Sequence, residues 1–239
     1  MTPRRPQPER LLLPSRSPLR RAEEGRPSGP PGRDCPSCPR LVRFRAAARA
    51  AHPGWHNAPV DSFGPAGARL LVVGLAPGLK GANRTGRPFT GDFAGDLLYV
   101  VLTDFGFARG DYAARADDRL RLLDCRITNA VRCVPPENKP VAAEVNACRR
   151  FLRAEIDGMP NLRVIVALGT LAHSAVLRAL GLRVASARFR HGALHALAGG
   201  LTLADSYHCS RYNTNTGRLT EATFRDVFAN LRERLDYGD

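Results

Sequence analysis

The sequence predicts an α/β protein built on a parallel sheet. Four short apolar runs rich in β-branched residues, 69–74, 125–131, 163–168 and 201–206, are each followed by a loop and a helical pattern, at 94–106, 141–154, 170–180 and 220–236. Strands alternating with helices are the signature of βαβ units. Runs such as Leu-Leu-Val-Val and Val-Ile-Val-Ala-Leu are apolar on both faces, as a sheet covered by helices on either side requires. The chain has 239 residues, 44% of them hydrophobic, enough for one domain to bury a core without staples. No internal repeat of solenoid period is present.

In chain order, residues 1–32 come first, rich in Pro, Arg, Ser and Gly and without periodicity. Such a stretch buries too little apolar surface to repay its ordering, so a disordered basic arm is expected, with the folded domain at 33–239. The arm holds seven arginines against three glutamates, so about +4 of the formal +14 belongs to it. Of the 36 basic residues only Lys80 and Lys139 are lysines. A guanidinium donates two parallel hydrogen bonds to a phosphate, so this charge suits nucleic acid or another polyanion. The codon bias of a GC-rich genome is the plain alternative. No run of about 18 apolar residues exists, which excludes a membrane-spanning helix. The longest apolar run near the N-terminus, Leu11-Leu12-Leu13, is too short for a secretory signal. A cytoplasmic chain with reduced cysteines is expected, and there six cysteines favour metal or cluster ligation over disulfides.

Residues 39–51 predict a helix with its basic residues on one side, and 52–68 read as an irregular loop. Beyond it, the unusual residues gather at the C-terminal ends of the predicted strands, where parallel sheets bind ligands. The first strand runs into Gly74-Leu75-Ala76-Pro77-Gly78, a loop whose backbone N–H groups can approach a ligand; a plain tight turn would use the same residues. The polar, glycine-rich segment 83–92 holds one aromatic, Phe89, beside proline and arginines, as base stacking uses; core packing is its other use. Asp92 opens a helix, as an N-cap or as a carboxylate aimed at the crevice to orient water. Asn129, at the end of the second strand, offers donors and an acceptor that match the amide edge of a base, or cap local backbone. After the fourth strand, residues 208–218 are dense in donors and lead into a helix, whose N-terminus attracts phosphate.

The cysteines form a second group. Cys35 and Cys38 are separated by two residues, Cys133 follows the second strand, and Cys148 lies within the next predicted helix. Four thiolates suit zinc or an iron–sulfur cluster, and spacing does not choose between them. Cys125 reads as a core thiol. Cys209 reads as a bystander, because adjacent side chains diverge in an extended segment.

Taken in order, Gly-Leu-Ala-Pro-Gly (74–78), Asn-Arg-Thr-Gly-Arg-Pro-Phe-Thr-Gly-Asp (83–92), Thr-Asn-Ala-Val-Arg-Cys-Val-Pro-Pro-Glu-Asn-Lys-Pro (128–140) and His-Cys-Ser-Arg-Tyr-Asn-Thr-Asn-Thr-Gly-Arg-Leu (208–219) resemble the family 5 (type b) uracil-DNA glycosylases. Trp55, Pro59-Val60, Phe63-Gly64 and Phe189-Arg190-His191-Gly192 add to the likeness, which runs from about Cys35 to Leu235. The resemblance implies a three-layer α/β/α sandwich with a four-stranded parallel sheet. It implies a 4Fe-4S cluster on Cys35, Cys38, Cys133 and Cys148. It also implies hydrolysis of the N-glycosidic bond of deaminated bases in DNA, uracil first and hypoxanthine as well. Family 4 enzymes carry a carboxylate in the first motif, where this chain has Leu75-Ala76-Pro77, and the loss fits a roomier pocket. One departure is Cys209, where many relatives have proline after the histidine.

On this resemblance, Phe89 is expected to stack on a flipped base while Asn129 reads its edge. Gly74, Ala76 and Gly78 contribute backbone to the base site. His208 donates to the departing base, and Asp92 orients water or stabilises the sugar cation. Arg84, Arg87, Arg211 and Arg218 are expected to meet DNA phosphates. A monofunctional enzyme is expected, since strand cutting commonly needs an amine nucleophile and only Lys80, Lys139 and the N-terminus offer one. The expected partner is DNA containing deaminated bases, with the protein a monomer. Two other readings are a family 4-type enzyme strict for uracil, and a zinc or iron–sulfur module that only binds DNA and has no use for Asn129 and His208.

Overall fold

The computed structural model describes residues 29–237, so most of the arm predicted over 1–32 lies outside the described residues. The order of elements is α1 (Pro39–Ala51), β1 (Leu70–Gly74), α2 (Ala82–Thr85), α3 (Phe93–Asp104), β2 (Ala108–Arg109), β3 (Arg121–Leu122), β4 (Cys125–Asn129), α4 (Ala142–Asp157), β5 (Val164–Leu168), α5 (Thr170–Ala179), β6 (Leu194–Ala196), β7 (Thr202–Ser206), α6 (Arg211–Asn215) and α7 (Glu221–Tyr237). The main sheet runs β4-β1-β5-β7-β6. The four expected strands, β4, β1, β5 and β7, are parallel, and the sheet has a fifth that the sequence reading lacked. That strand, β6, is antiparallel at the edge. Its three residues carry no apolar run because an edge strand is only partly covered.

Period-two alternation divides the core between two helical layers. Leu70 and Val72 of β1, with Val164, Val166 and Leu168 of β5, face Leu98 and Leu102 of α3 and Phe224, Phe228 and Leu231 of α7. Leu71, Val73, Ile165 and Ala167 point the other way, onto Leu152 and Ile156 of α4 and Ala172 and Val176 of α5. Each Val, Leu, Ile or Phe among them contributes about 1.5–3 kcal/mol by leaving water, so both faces of these strands favour burial. The result is a three-layer α/β/α sandwich. Strand order reverses at β1, with β4 on one side and β5 on the other, and the crevice beyond its C-terminal end is where such sheets take ligands.

Helix α1 covers the span expected, but its basic residues do not share one outer side. Arg45 is 3% exposed and turned inward, while Arg40 pairs through both oxygens with Glu144 of α4. Among the described residues, no helix is long and apolar enough to cross a membrane.

Candidate active site

A crevice of about 410 Å³ opens at the strand ends. The loop after β1 lines it with Ala76 and Gly78, and β4 supplies Asn129. The segment before α3 supplies Phe89 and Asp92, α3 itself supplies Phe93, and the stretch after β7 supplies His208, Ser210 and Arg211. The residues expected to touch a base are thus brought together from separate parts of the chain. Gly74 lines no part of it but sets its floor. A Cβ there would lie 2.4 Å from Asn129 Oδ1 and 2.6 Å from Phe89 Cζ, so only glycine lets these two groups close over the end of β1.

Phe89 has φ of +54°, a left-handed backbone costly for an aromatic residue, and a surrounding clamp holds it. Tyr99 Oη donates to Pro88 O at 2.7 Å and Tyr112 Oη to Phe89 O at 3.4 Å. Arg87 Nε donates to Thr90 Oγ1 at 2.9 Å. Gly95 completes it, since a Cβ there would overlap Phe89 O at 1.7 Å. The Phe89 ring lies 5.9 Å from that of His208, the two tilted by 28°.

Arg87 corrects an expectation. It is not a phosphate contact: it is 4% exposed, gripped by both oxygens of Asp118 at 2.6 and 2.7 Å, with its guanidinium over the rings of Phe63, Tyr99 and Tyr112. Desolvation would raise the Asp118 pKa, but Arg87 and the N–H groups of Ala113 and Leu120 hold it down to about 2. Arg84, Arg211 and Arg218 are exposed, with Arg211 at the crevice itself.

Asp92 caps α3 and also lines the crevice. Oδ1 accepts from Gly95 N at 2.9 Å, capping α3, while Oδ2 faces Gly78 and Gly81. Burial raises its pKa and the cap opposes the rise. Desolvation pushes the His208 pKa down to about 4, so its ring is neutral at pH 7. Asn213 Nδ2 donates to His208 O at 2.8 Å, holding that residue in place. Sequence reasoning assigned no role to Asn138, which lines the crevice from a left-handed turn with φ of +57°, or to the Tyr99–Tyr112–Asp118 clamp. The paired positive-φ residues Glu137 and Asn138 left no composition signal, and the clamp joins residues far apart in the chain.

The four remaining candidates form a second pocket. Cys35, Cys38, Cys133 and Cys148 line it with Leu41, Val131 and Phe151. All four are free thiols. Two N–H donors meet their sulfurs: Arg45 Nη1 reaches Cys133 Sγ and Arg132 N reaches Cys148 Sγ, each at 3.4 Å. Arg45 also donates to Cys35 O at 3.0 Å, so the inward arginine of α1 belongs to this pocket. Cys125 and Cys209 are fully buried elsewhere, as expected of bystanders.

Residues 62–232 match the model of the uracil DNA glycosylase superfamily. The chain belongs to this superfamily. It is 47% identical over 199 residues to a type-5 uracil-DNA glycosylase of Thermus thermophilus, covering 81% of this chain and 90% of that protein. A type-5 uracil-DNA glycosylase of Pyrobaculum aerophilum is 41% identical over 198 residues, 81% and 86% of the two chains. A type-4 uracil-DNA glycosylase of the same organism is 34% identical over 152 residues, 63% of each. The glycosylase thus sides with the type-5 members, in agreement with its apolar Leu75-Ala76-Pro77.

Proposed function

We propose that the protein hydrolyses the N-glycosidic bond of uracil and of other deaminated bases, hypoxanthine among them, in DNA, leaving an abasic site without cutting the strand. The observation that carries this reading is the convergence of Phe89, Asp92, Asn129 and His208 on one crevice at the sheet's switch point. The target nucleotide leaves the duplex at a cost of a few kcal/mol, least for a mispaired base. Phe89 stacks on it, Asn129 pairs with its amide edge, and the backbone of Ala76 and Gly78 borders it. Cleavage leaves negative charge on the base and positive charge on the sugar. His208, neutral and desolvated, donates to the departing base oxygen, where a preorganised donor is worth most. Asp92 orients the attacking water through Oδ2. The open crevice and the missing first-motif carboxylate favour breadth towards purines. Arg84, Arg211 and Arg218 meet phosphates of the same DNA, the protein acts as a monomer, and the basic residues of 1–32 add nonspecific attraction beside a catalytic domain at 33–239.

The cysteine pocket fits a 4Fe-4S cluster held by Cys35, Cys38, Cys133 and Cys148. The donor set is all sulfur, and N–H donors are aimed at two of the four. When bound, the cluster ties α1 to the β4–α4 connection, and no step of base release needs it.

The test is incubation with uracil- and hypoxanthine-containing duplexes followed by alkali. Both should be cleaved only after alkali. Asn129→Ala and His208→Ala should each slow release by about 10²–10³-fold, the cost of one transition-state donor. Unchanged release in both variants would overturn the assignment, and cleavage of uracil DNA alone would favour the strict reading.

A further inference from the structure

We propose that His191 is a positioning residue for His208, acting through the backbone of Tyr207. The inference rests on the role given to His208 above. The chain leaves the sheet at Ser206, whose carbonyl accepts from Gly169 N at 2.7 Å. Tyr207 is the first residue beyond the strand, and its N–H is donated to a side chain instead: His191 Nδ1, at 3.1 Å. The His191 and Tyr207 rings stack with centroids 5.1 Å apart and planes within 5°. Asn213 holds His208 from its carbonyl side, so the imidazole that faces the crevice is carried on backbone fixed at both ends.

His191 sits on a loop that needs an anchor of its own, and Asp205 of β7 provides it. Arg190 N donates to Asp205 Oδ2 at 3.1 Å, Gly192 N to Asp205 O at 2.8 Å, and Asp205 N to Ala193 O at 2.9 Å. The Asp205 carboxylate is fully buried, with His173 Nδ1 at 2.6 Å from Oδ1 and His195 Nε2 at 2.8 Å from Oδ2. Two histidines and an aspartate have the makeup of a metal site, but the geometry is that of a strut. His173 Nε2 lies 2.9 Å from Ala187 O, so both ring nitrogens face acceptors, both must carry protons, and no lone pair remains for a metal. The protonated ring and the carboxylate fasten α5 and the 187–192 loop to β7, directly upstream of His208.

The test is single-turnover uracil release by His191→Ala, His191→Asn, His208→Ala and the His191→Ala/His208→Ala double variant, with duplex affinity and thermal unfolding measured on each. Misplacing a catalytic group by about 1 Å costs on the order of 10²-fold. His191→Ala should therefore slow release by about 10- to 100-fold while affinity changes less than about 3-fold. The asparagine, whose Oδ1 can accept from Tyr207 N, should restore most of the rate. The double variant should be no slower than His208→Ala, since a residue acting through His208 has nothing left to position. Losses that multiply in the double variant, or His191→Ala at full rate beside a slow His208→Ala, would overturn the inference. Full rate in His208→Ala would instead overturn the role of His208 itself.

Discussion

The crevice and the cysteine pocket are built from opposite materials. The crevice has about 410 Å³ of space, and its polar side chains stand on loops at the strand ends. The cysteine pocket is lined by its four thiols with Leu41, Val131 and Phe151. It is closed by apolar side chains of α1 and α4, with donors already turned towards its sulfurs. A site that admits and releases a ligand must keep space and leave polar atoms unspent. A site proposed to hold a resident group instead commits its polar atoms to that group. The same contrast separates two arginines three residues apart: Arg84 is exposed beside the crevice, whereas Arg87 is sealed beneath it as part of the frame.

The contrast is tested most severely at the cysteines. Structural metal centres hold on the order of 10 kcal/mol of folding free energy. The proposed 4Fe-4S cluster should give the purified protein an absorbance near 400 nm, and Cys148→Ala should lose it and unfold at a much lower temperature, or fail to be recovered folded. A variant that keeps both chromophore and melting temperature would remove the pocket's resident. Arg87→Met comes next. It strands Asp118 as a buried unpaired charge, which costs about 3–5 kcal/mol, so chemical denaturation should show that loss. Release should fall with it, as Phe89 loses its clamp.

His208 gives a smaller, pH-dependent effect. Desolvation holds its pKa at about 4, below the 6.5 of an unfolded histidine. The unfolded chain therefore takes the proton first as pH falls, so stability present above pH 6.5 drains away down to about pH 4 and then levels. Denaturation at pH 7 and 4.5 should show about 2–3 kcal/mol more acid loss in the parent than in His208→Gln. Equal losses would place the histidine in water. Arg84→Ala should have the mildest consequence: weaker binding to every duplex alike and a salt slope reduced by about 1, with folding untouched.

Much of this architecture can be read without coordinates, and the reason is local. A run such as Val-Ile-Val-Ala-Leu has no stable place except between two helical layers, so β1, β4, β5 and β7 and the helices after them lie within a few residues of expectation. Edge strand β6 escaped because Leu-His-Ala carries no periodic signal. Asp92, Asn129 and His208 were legible as candidates because each stands at or just beyond a strand or helix end, and Phe89 because it is the one aromatic in a polar, glycine-rich segment.

The burial of arginines was not legible. Arg45 and Arg87 look like their solvated neighbours in sequence, and their partners, Cys133 and Asp118, lie 88 and 31 residues away. Whether a charge faces water or a carboxylate depends on contacts between distant segments, and no local pattern records them. The sequence by itself therefore determined the layered α/β fold, the strand-end crevice and most of its polar residues, Asn138 excepted, because propensity and periodicity act over a few neighbours. Only the tertiary structure decided which arginines are scaffold, how Phe89 is held in a left-handed turn, and that His191 stands behind His208, because those are long-range packing and hydrogen-bonding choices.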